Sequence, residues 1–314
     1  MAHKPAGVVG QVAGEMAPAS TGAITLMAVL AGLLVVGLAL TLRWAARPYR
    51  PTEGPPAVRY LRGVAVALVA GFWAGALVTG PAVRLAMRLL AVTGGDDAQR
   101  RFTEADEIVG RVDVGGSIAL VVFGGILPGL LSGGIYVLVR RLLPAGAWGG
   151  VVFGLLHLVV AATRLDPLRP DNPDFDLVGP GWLAVVTFGL AAVAHGMAVA
   201  AFAARYSAAL PPATPATRAA WVRALGPLVL PVLLLVPFFL VALQLAVGLV
   251  VAVVMGRLPG VMRAVRSPRV VTAGRVALVV LALVLLPGAI DDVHDVVVRD
   301  EVTANPSSAL RGPG

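Results

Sequence analysis

Five stretches of this chain, residues 22–42, 63–80, 115–139, 145–163 and 181–203, contain no Asp, Glu, Lys or Arg. Each is close to the roughly 20 apolar residues that a helix rising 1.5 Å per residue needs to cross a hydrocarbon layer about 30 Å thick. In lipid a backbone satisfies its own hydrogen bonds only as a helix or a closed barrel, and runs of this length read as helices. The fold class is therefore all-α, a polytopic α-helical integral membrane protein. Composition agrees, with 58% hydrophobic and 13% charged residues, where a soluble domain has roughly 25% charged.

A sixth run, 276–290, is short and crosses only if Arg275 snorkels from its end. The region 224–256 carries no charge, and Gln244 is its one strongly polar side chain. At about 50 Å as a helix it is long for one upright crossing and short for two. The count is thus about seven spans, or eight if 224–256 is a hairpin bent near Pro231 or Pro237. Arg43, Arg47, Arg50, Arg59 and Arg62 follow the first span, and basic residues beside spans stay cytoplasmic, which places the N-terminus outside. A single crossing of 224–256 splits the Lys and Arg residues 12 inside and 13 outside, whereas a hairpin gives 15 and 10. Charge favours the hairpin and length favours one kinked, tilted helix, so both readings stand. The first run follows about twenty residues with no basic stretch, unlike a cleaved signal peptide.

The resulting organisation is an external N-terminal tail, 1–21, and a five-span bundle, 22–203, with external loops 81–114 and 164–180. A cytoplasmic linker, 204–223, leads to a C-terminal hydrophobic block, 224–290, and a polar tail, 291–314, that opens with Asp291, Asp292 and Asp295. The final SSALRGPG reads as disordered.

Counting removes several chemistries. Without cysteine there is no disulfide, thiolate metal site or cysteine nucleophile. Lys4 is the only lysine, and no phosphate-binding loop, His-Glu-x-x-His helix or Gly-x-Gly-x-x-Gly turn occurs. Twenty-four arginines against one lysine in an Ala/Gly/Val background point to a GC-rich bacterial coding sequence, hence a multi-pass protein of a bacterial cell membrane. The net charge of +8 is accounted for by arginines beside anionic lipid, with no nucleic acid needed. The partners expected are the lipid bilayer and other membrane or extracytoplasmic proteins; no cofactor and no metal is expected.

Two loops carry most of the remaining charge. Arg84 and Arg88, four residues apart, share one helix face and suit anions or headgroups, or else snorkel from the end of a long second helix kinked at Pro81. Thr103-Glu104-Ala105-Asp106 reads as a capped helix start. The segment 164–180 holds Asp166, Asp171, Asp174 and Asp176 among four prolines, so it is expected to be stiff and extended. Those carboxylates make a candidate cation loop, although the glycine and glutamate of an EF-hand are missing.

Inside the spans the candidate polar site is His157, His195 and Ser132. Counted from the external ends of their spans, His157 lies roughly 9 Å deep and His195 roughly 21 Å. That offset works against one metal or haem bridging the two rings. Ser132 is level with His195, which raises an intramembrane serine hydrolase, though no third orienting group is visible in the sequence. Gly125, Gly129 and Gly133 recur every four residues beside Pro128, with Gly71 and Gly75, and Gly150 and Gly154, as matching stripes that would let spans two, three and four pack closely. The function that follows is a non-enzymatic permease-like or accessory membrane component. The alternatives are a membrane redox or metal protein using His157 and His195, and the serine hydrolase.

Overall fold

The structure is a computed structural model. It describes residues 21–210 except 54, 96, 97, 100, 105, 106, 165 and 166, isolated positions between 226 and 264, and residues 267–304. The 1–20 tail, Asp166, Gln244, most of the linker and most of 224–256 therefore lie outside the described residues, and with them the choice between hairpin and single crossing.

Among the described residues five helices are long and apolar enough to cross a membrane: α1 (Thr21–Trp44), α2 (Pro56–Thr93), α3 (Val114–Val139), α5 (Gly181–Ala209) and α6 (Pro268–Ala304). A shorter apolar helix, α4 (Ala147–Ala162), lies between α3 and α5. Among the described residues the only β pairing is an isolated bridge between Phe102 and Ile108. Small residues fill the centre and large ones cover the outside, as lipid contact demands. The core combines Val66, Ala70, Ala74 and Val78 of α2 with Tyr136 of α3, Phe153 of α4 and the Ala198–Phe202 stretch of α5. Outward, Leu131 is 68% exposed and Leu138 81%.

Two close helix pairs build this centre. A Cβ on Gly71 would overlap the Gly129 carbonyl, one on Gly75 would overlap that of Gly125, and one on Gly133 that of Ala67, so α2 and α3 touch backbone to backbone. Gly150 and Gly154 serve the second pair instead: a Cβ on Gly150 would lie 2.6 Å from the Met197 Cα, and one on Gly154 2.7 Å from the Val193 Cα. Gly196, which the sequence reading passed over, completes that seam against Gly154. The centre is thus α2 on α3 and α4 on α5, where a single α2–α3–α4 core was expected.

Both central helices of the first pair contain a wide turn directly before a proline. In α2 the amide of Gly80 reaches back five residues to the Gly75 carbonyl, and in α3 that of Leu127 reaches the Val122 carbonyl. Pro81 and Pro128 follow at once. A proline lacks the amide and crowds the carbonyl four residues back, and an added residue in the turn relieves that clash without ending the helix. This is why 81–93 continues α2 rather than lying as a separate interfacial helix, matching the long-helix reading of Arg84 and Arg88.

Three other expectations need correction. The run 276–290 belongs to a 37-residue helix that passes through Pro287 and takes in the first part of the polar tail. No helix starts at Thr103: its hydroxyl accepts from the Glu107 amide at 3.2 Å, its own amide donates to the Glu107 carbonyl at 2.8 Å, and the chain turns back on itself. The 164–180 loop is not wholly extended, because Pro173–Asp176 forms a 3-10 turn whose Asp174 amide donates to the Asn172 side chain.

Candidate functional site

His195 sits on α5 between two hydroxyls brought by the other helices. Its Nε2 is 2.6 Å from the Ser132 Oγ of α3, and its Nδ1 is 2.5 Å from the Thr79 Oγ1 in the wide turn of α2. Ser132 is 1% exposed and His195 5%. The glycine contact of α2 with α3 places both hydroxyls on the same ring, so this geometry depends on Gly71, Gly75, Gly125 and Gly129. Ser132 Oγ also lies 3.1 Å from the Gly129 carbonyl, and Thr79 Oγ1 lies 3.4 Å from that of Ala74.

A neutral imidazole has one donor and one acceptor nitrogen, which leaves two proton arrangements. In the first, Nε2–H donates to Ser132, whose hydroxyl donates in turn to the Gly129 carbonyl, while Thr79 donates to Nδ1. In the second, Ser132 donates to Nε2 and Nδ1–H donates to Thr79, which turns to Ala74. The shorter serine-to-backbone bond favours the first. Only the second would activate Ser132 as a nucleophile.

His157, on α4 just before a third wide turn at Leu158–Ala162, comes edge-on to this ring with centroids 5.5 Å apart. Its Nδ1 is 3.2 Å from the Phe153 carbonyl of its own helix. The depth count is corrected here. Gly154 lies beside Val193 and Gly150 beside Met197, so in this antiparallel pair His157 is level with residue 190, about 7 Å from His195 along the axis. Side chains lean toward their own helix N-terminus, which tilts these two rings toward each other. Proximity alone does not make a metal site, because both nitrogens of His195 are already hydrogen-bonded to hydroxyls. No group of three His, Cys, Asp or Glu side chains suited to a metal occurs among the described residues.

The loop end of the bundle is built from charge. Arg84 donates through Nε to the Ser117 Oγ at 2.9 Å and through Nη2 to the Arg111 carbonyl, and Arg88 donates to the Gly110 carbonyl at 3.0 Å. Both guanidinium groups thus tie α2 to the entry of α3, where Asp113 caps the amide of Gly116. Of the candidate cation loop, Asp171 pairs with Arg169 and Asp174 accepts from the Glu104 amide at 2.8 Å, while Arg169 also pairs with Glu104. Asp171 and Asp174 are thus engaged by protein groups, and the Asp176 side chain lies outside the described ones. Burial pushes the Asp174 carboxyl above its usual range, opposed by the bond from the Glu104 amide.

Thr79 was not among the candidates, although Thr-Gly-Pro inside an apolar span is the signal that marks it. No family model, curated protein or solved structure matches the chain.

Proposed function

We propose that the protein is a non-enzymatic, permease-like component of a bacterial cell membrane. One observation carries the reading: two wide, proline-adjacent turns face each other in the central helices, Gly75 against Gly125, directly beside the His195 cluster. Such turns are hinge points, and interrupted helices next to a buried polar group are how membrane carriers build a solute path. Neutral polar groups at that point suit an uncharged or weakly polar solute better than a driven ion. Seven or eight spans with the N-terminus outside complete the topology, and a reporter fused after Gly314 decides between them: a cytoplasmic reporter rejects the hairpin.

The chain has no cysteine, which makes Ser132→Cys a clean probe of the path. Modification by a membrane-impermeant thiol reagent added from either side supports a permease. Complete protection from both sides overturns it and leaves an accessory, scaffold-like role.

A second reading is favoured by the 2.6 Å contact of Ser132 with His195, that of an intramembrane serine hydrolase with Thr79 orienting the ring. Labelling of Ser132 by a fluorophosphonate, lost in His195→Gln, supports it; no labelling rejects it. The redox alternative predicts a chromophore or stoichiometric metal in the purified protein, lost on His157→Ala.

A further inference from the structure

The end of the bundle opposite the charged loops gathers Trp44, Tyr49, Arg62, Arg140, Arg141 and Arg205 where α1, α3 and α5 finish and α2 begins. The Arg140 guanidinium lies over the Tyr49 ring, its central carbon 3.6 Å from the centroid. Its Nε is buried and has no hydrogen-bond partner. Other half-buried guanidinium groups in this protein have found oxygen acceptors: Arg62 donates to the Ser207 and Leu210 carbonyls, Arg84 to Ser117, Arg88 to Gly110 and Arg169 to Glu104. Arg140 has the ring of Tyr49 instead, and the charges acting on that phenol are Arg140, Arg62 and Arg141, all cationic. The charges acting on Arg140 itself are Tyr49, Arg141 and Tyr136, with no carboxylate among them.

A guanidinium withdrawn from water needs a counter-charge, and its planar fork fits the oxygens of a phosphate. Arg140 is the first residue after the membrane-length helix Val114–Val139, so it stands at headgroup depth. On another face of α3, Leu131 and Leu138 are 68% and 81% exposed, so this helix meets the acyl chains just below that depth. We propose that Arg140 and Arg141, steadied by Tyr49, form a binding site for the phosphate of an anionic phospholipid. The lipid would bridge the end of α3 to the α1–α2 connection that carries Tyr49, closing a seam that protein acceptors leave open.

The test is native mass spectrometry of the full chain in uncharged detergent with phosphatidylglycerol, phosphatidylcholine or inorganic phosphate added separately. Phosphatidylglycerol is expected to give one-to-one adducts several-fold more abundant than phosphatidylcholine. Arg140→Gln should lower them about fivefold, the typical effect of one basic residue at a membrane surface. Arg43→Gln, an exposed cation at the same end but outside the site, should lower them clearly less than Arg140→Gln does. Should the glutamine variant not fold, Arg140→Lys keeps the charge and loses the fork and the stack, and is expected to bind less than the wild type. Equal binding in the Arg140 variant that folds, or equal occupancy by the two lipids, overturns the site. Binding of inorganic phosphate that displaces phosphatidylglycerol from Arg140 assigns the pocket to soluble phosphate and overturns the lipid.

Discussion

Between Gly71 and His195 the helices meet through bare backbone and neutral hydroxyls, whereas between Arg84 and Asp174, at the loop end of the same bundle, they are tied by guanidinium groups and carboxylates. The two regions solve different solvent problems. In hydrocarbon an unpaired charge is costly, so the centre uses close packing and hydrogen bonds that begin and end within protein. At the loop end water screens charge and exposed pairs contribute little each, so several are used together. The centre should therefore respond to changes of volume and be indifferent to salt, and the loop layer should do the reverse.

The largest effect belongs to the glycine seam. A leucine at Gly129 places its Cβ into the Gly71 carbonyl, and backbone facing backbone cannot repack as a side chain can. Gly129→Leu is expected to abolish the monodisperse folded protein on size exclusion in detergent. A Cβ at Gly134 meets nothing within 4 Å, so Gly134→Ala should shift stability by less than about 0.5 kcal/mol. Similar behaviour of the two variants would break the comparison at its base.

The next effect is the loss of the ring that the hydroxyls share. His195→Leu keeps much of the volume and removes two interhelical hydrogen bonds, each worth about 0.6 kcal/mol on average and up to about 1.7 in membrane proteins. A destabilisation of about 1–3 kcal/mol in a denaturant titration is expected, unaltered by added salt. A salt-dependent loss would mean that the centre is charged.

How much of this was legible in the sequence follows from the same contrast. Lipid requires long uncharged runs, so α1, α3 and α5 stand out by the absence of charge alone. The wide turns do not, because Pro81 and Pro128 advertise a break, while the added residue that heals it depends on Gly75 and Gly125 meeting across two helices. Ser132, His195 and His157 could be singled out as rare polar residues in apolar runs. Thr79 carried only the weaker signal of Thr-Gly-Pro in a span; its pairing with His195 left no trace, since 116 positions separate the two and threonine in a span ordinarily bonds its own helix. The depth offset of the histidines was misjudged because counting from span ends ignores the register set by Gly154 against Val193. The loop end was hardest to read, because pairs such as Arg169 with Glu104 join residues 65 positions apart and spacing carries no trace of them.

A finer test asks whether the two hydroxyls act through one ring. Ser132→Ala and Thr79→Val each remove one partner of His195, and a lone change should cost about 1 kcal/mol. With one hydroxyl gone the ring is free to adopt the tautomer that suits the other, so each single change is partly relieved and the double variant should cost more than the sum. A coupling of about 0.5–1 kcal/mol is expected from the cycle. Strict additivity would show that the ring does not link α2 to α3.

The smallest effect is confined to the loop layer and is set by pH. Burial raises the Asp174 carboxyl above the ordinary carboxylate range, so the folded loop holds that proton more tightly than the unfolded chain does. The stabilisation this represents is fully present below the ordinary carboxylate range and is lost as pH rises through the raised value. Above that window the ionised group persists because the Glu104 amide and Arg169 compensate part of the cost. Protease cleavage within 94–113 should therefore quicken modestly as pH climbs out of the acid range, while the bundle itself stays intact. Asp174→Asn keeps an acceptor for the Glu104 amide and removes the titrating charge, so its cleavage rate should change less across the same range. If wild type and variant followed one pH curve, Asp174 would play no part in that dependence, and the charge-held character of the loop end would rest on Arg84, Arg88 and the Arg169 pairs alone.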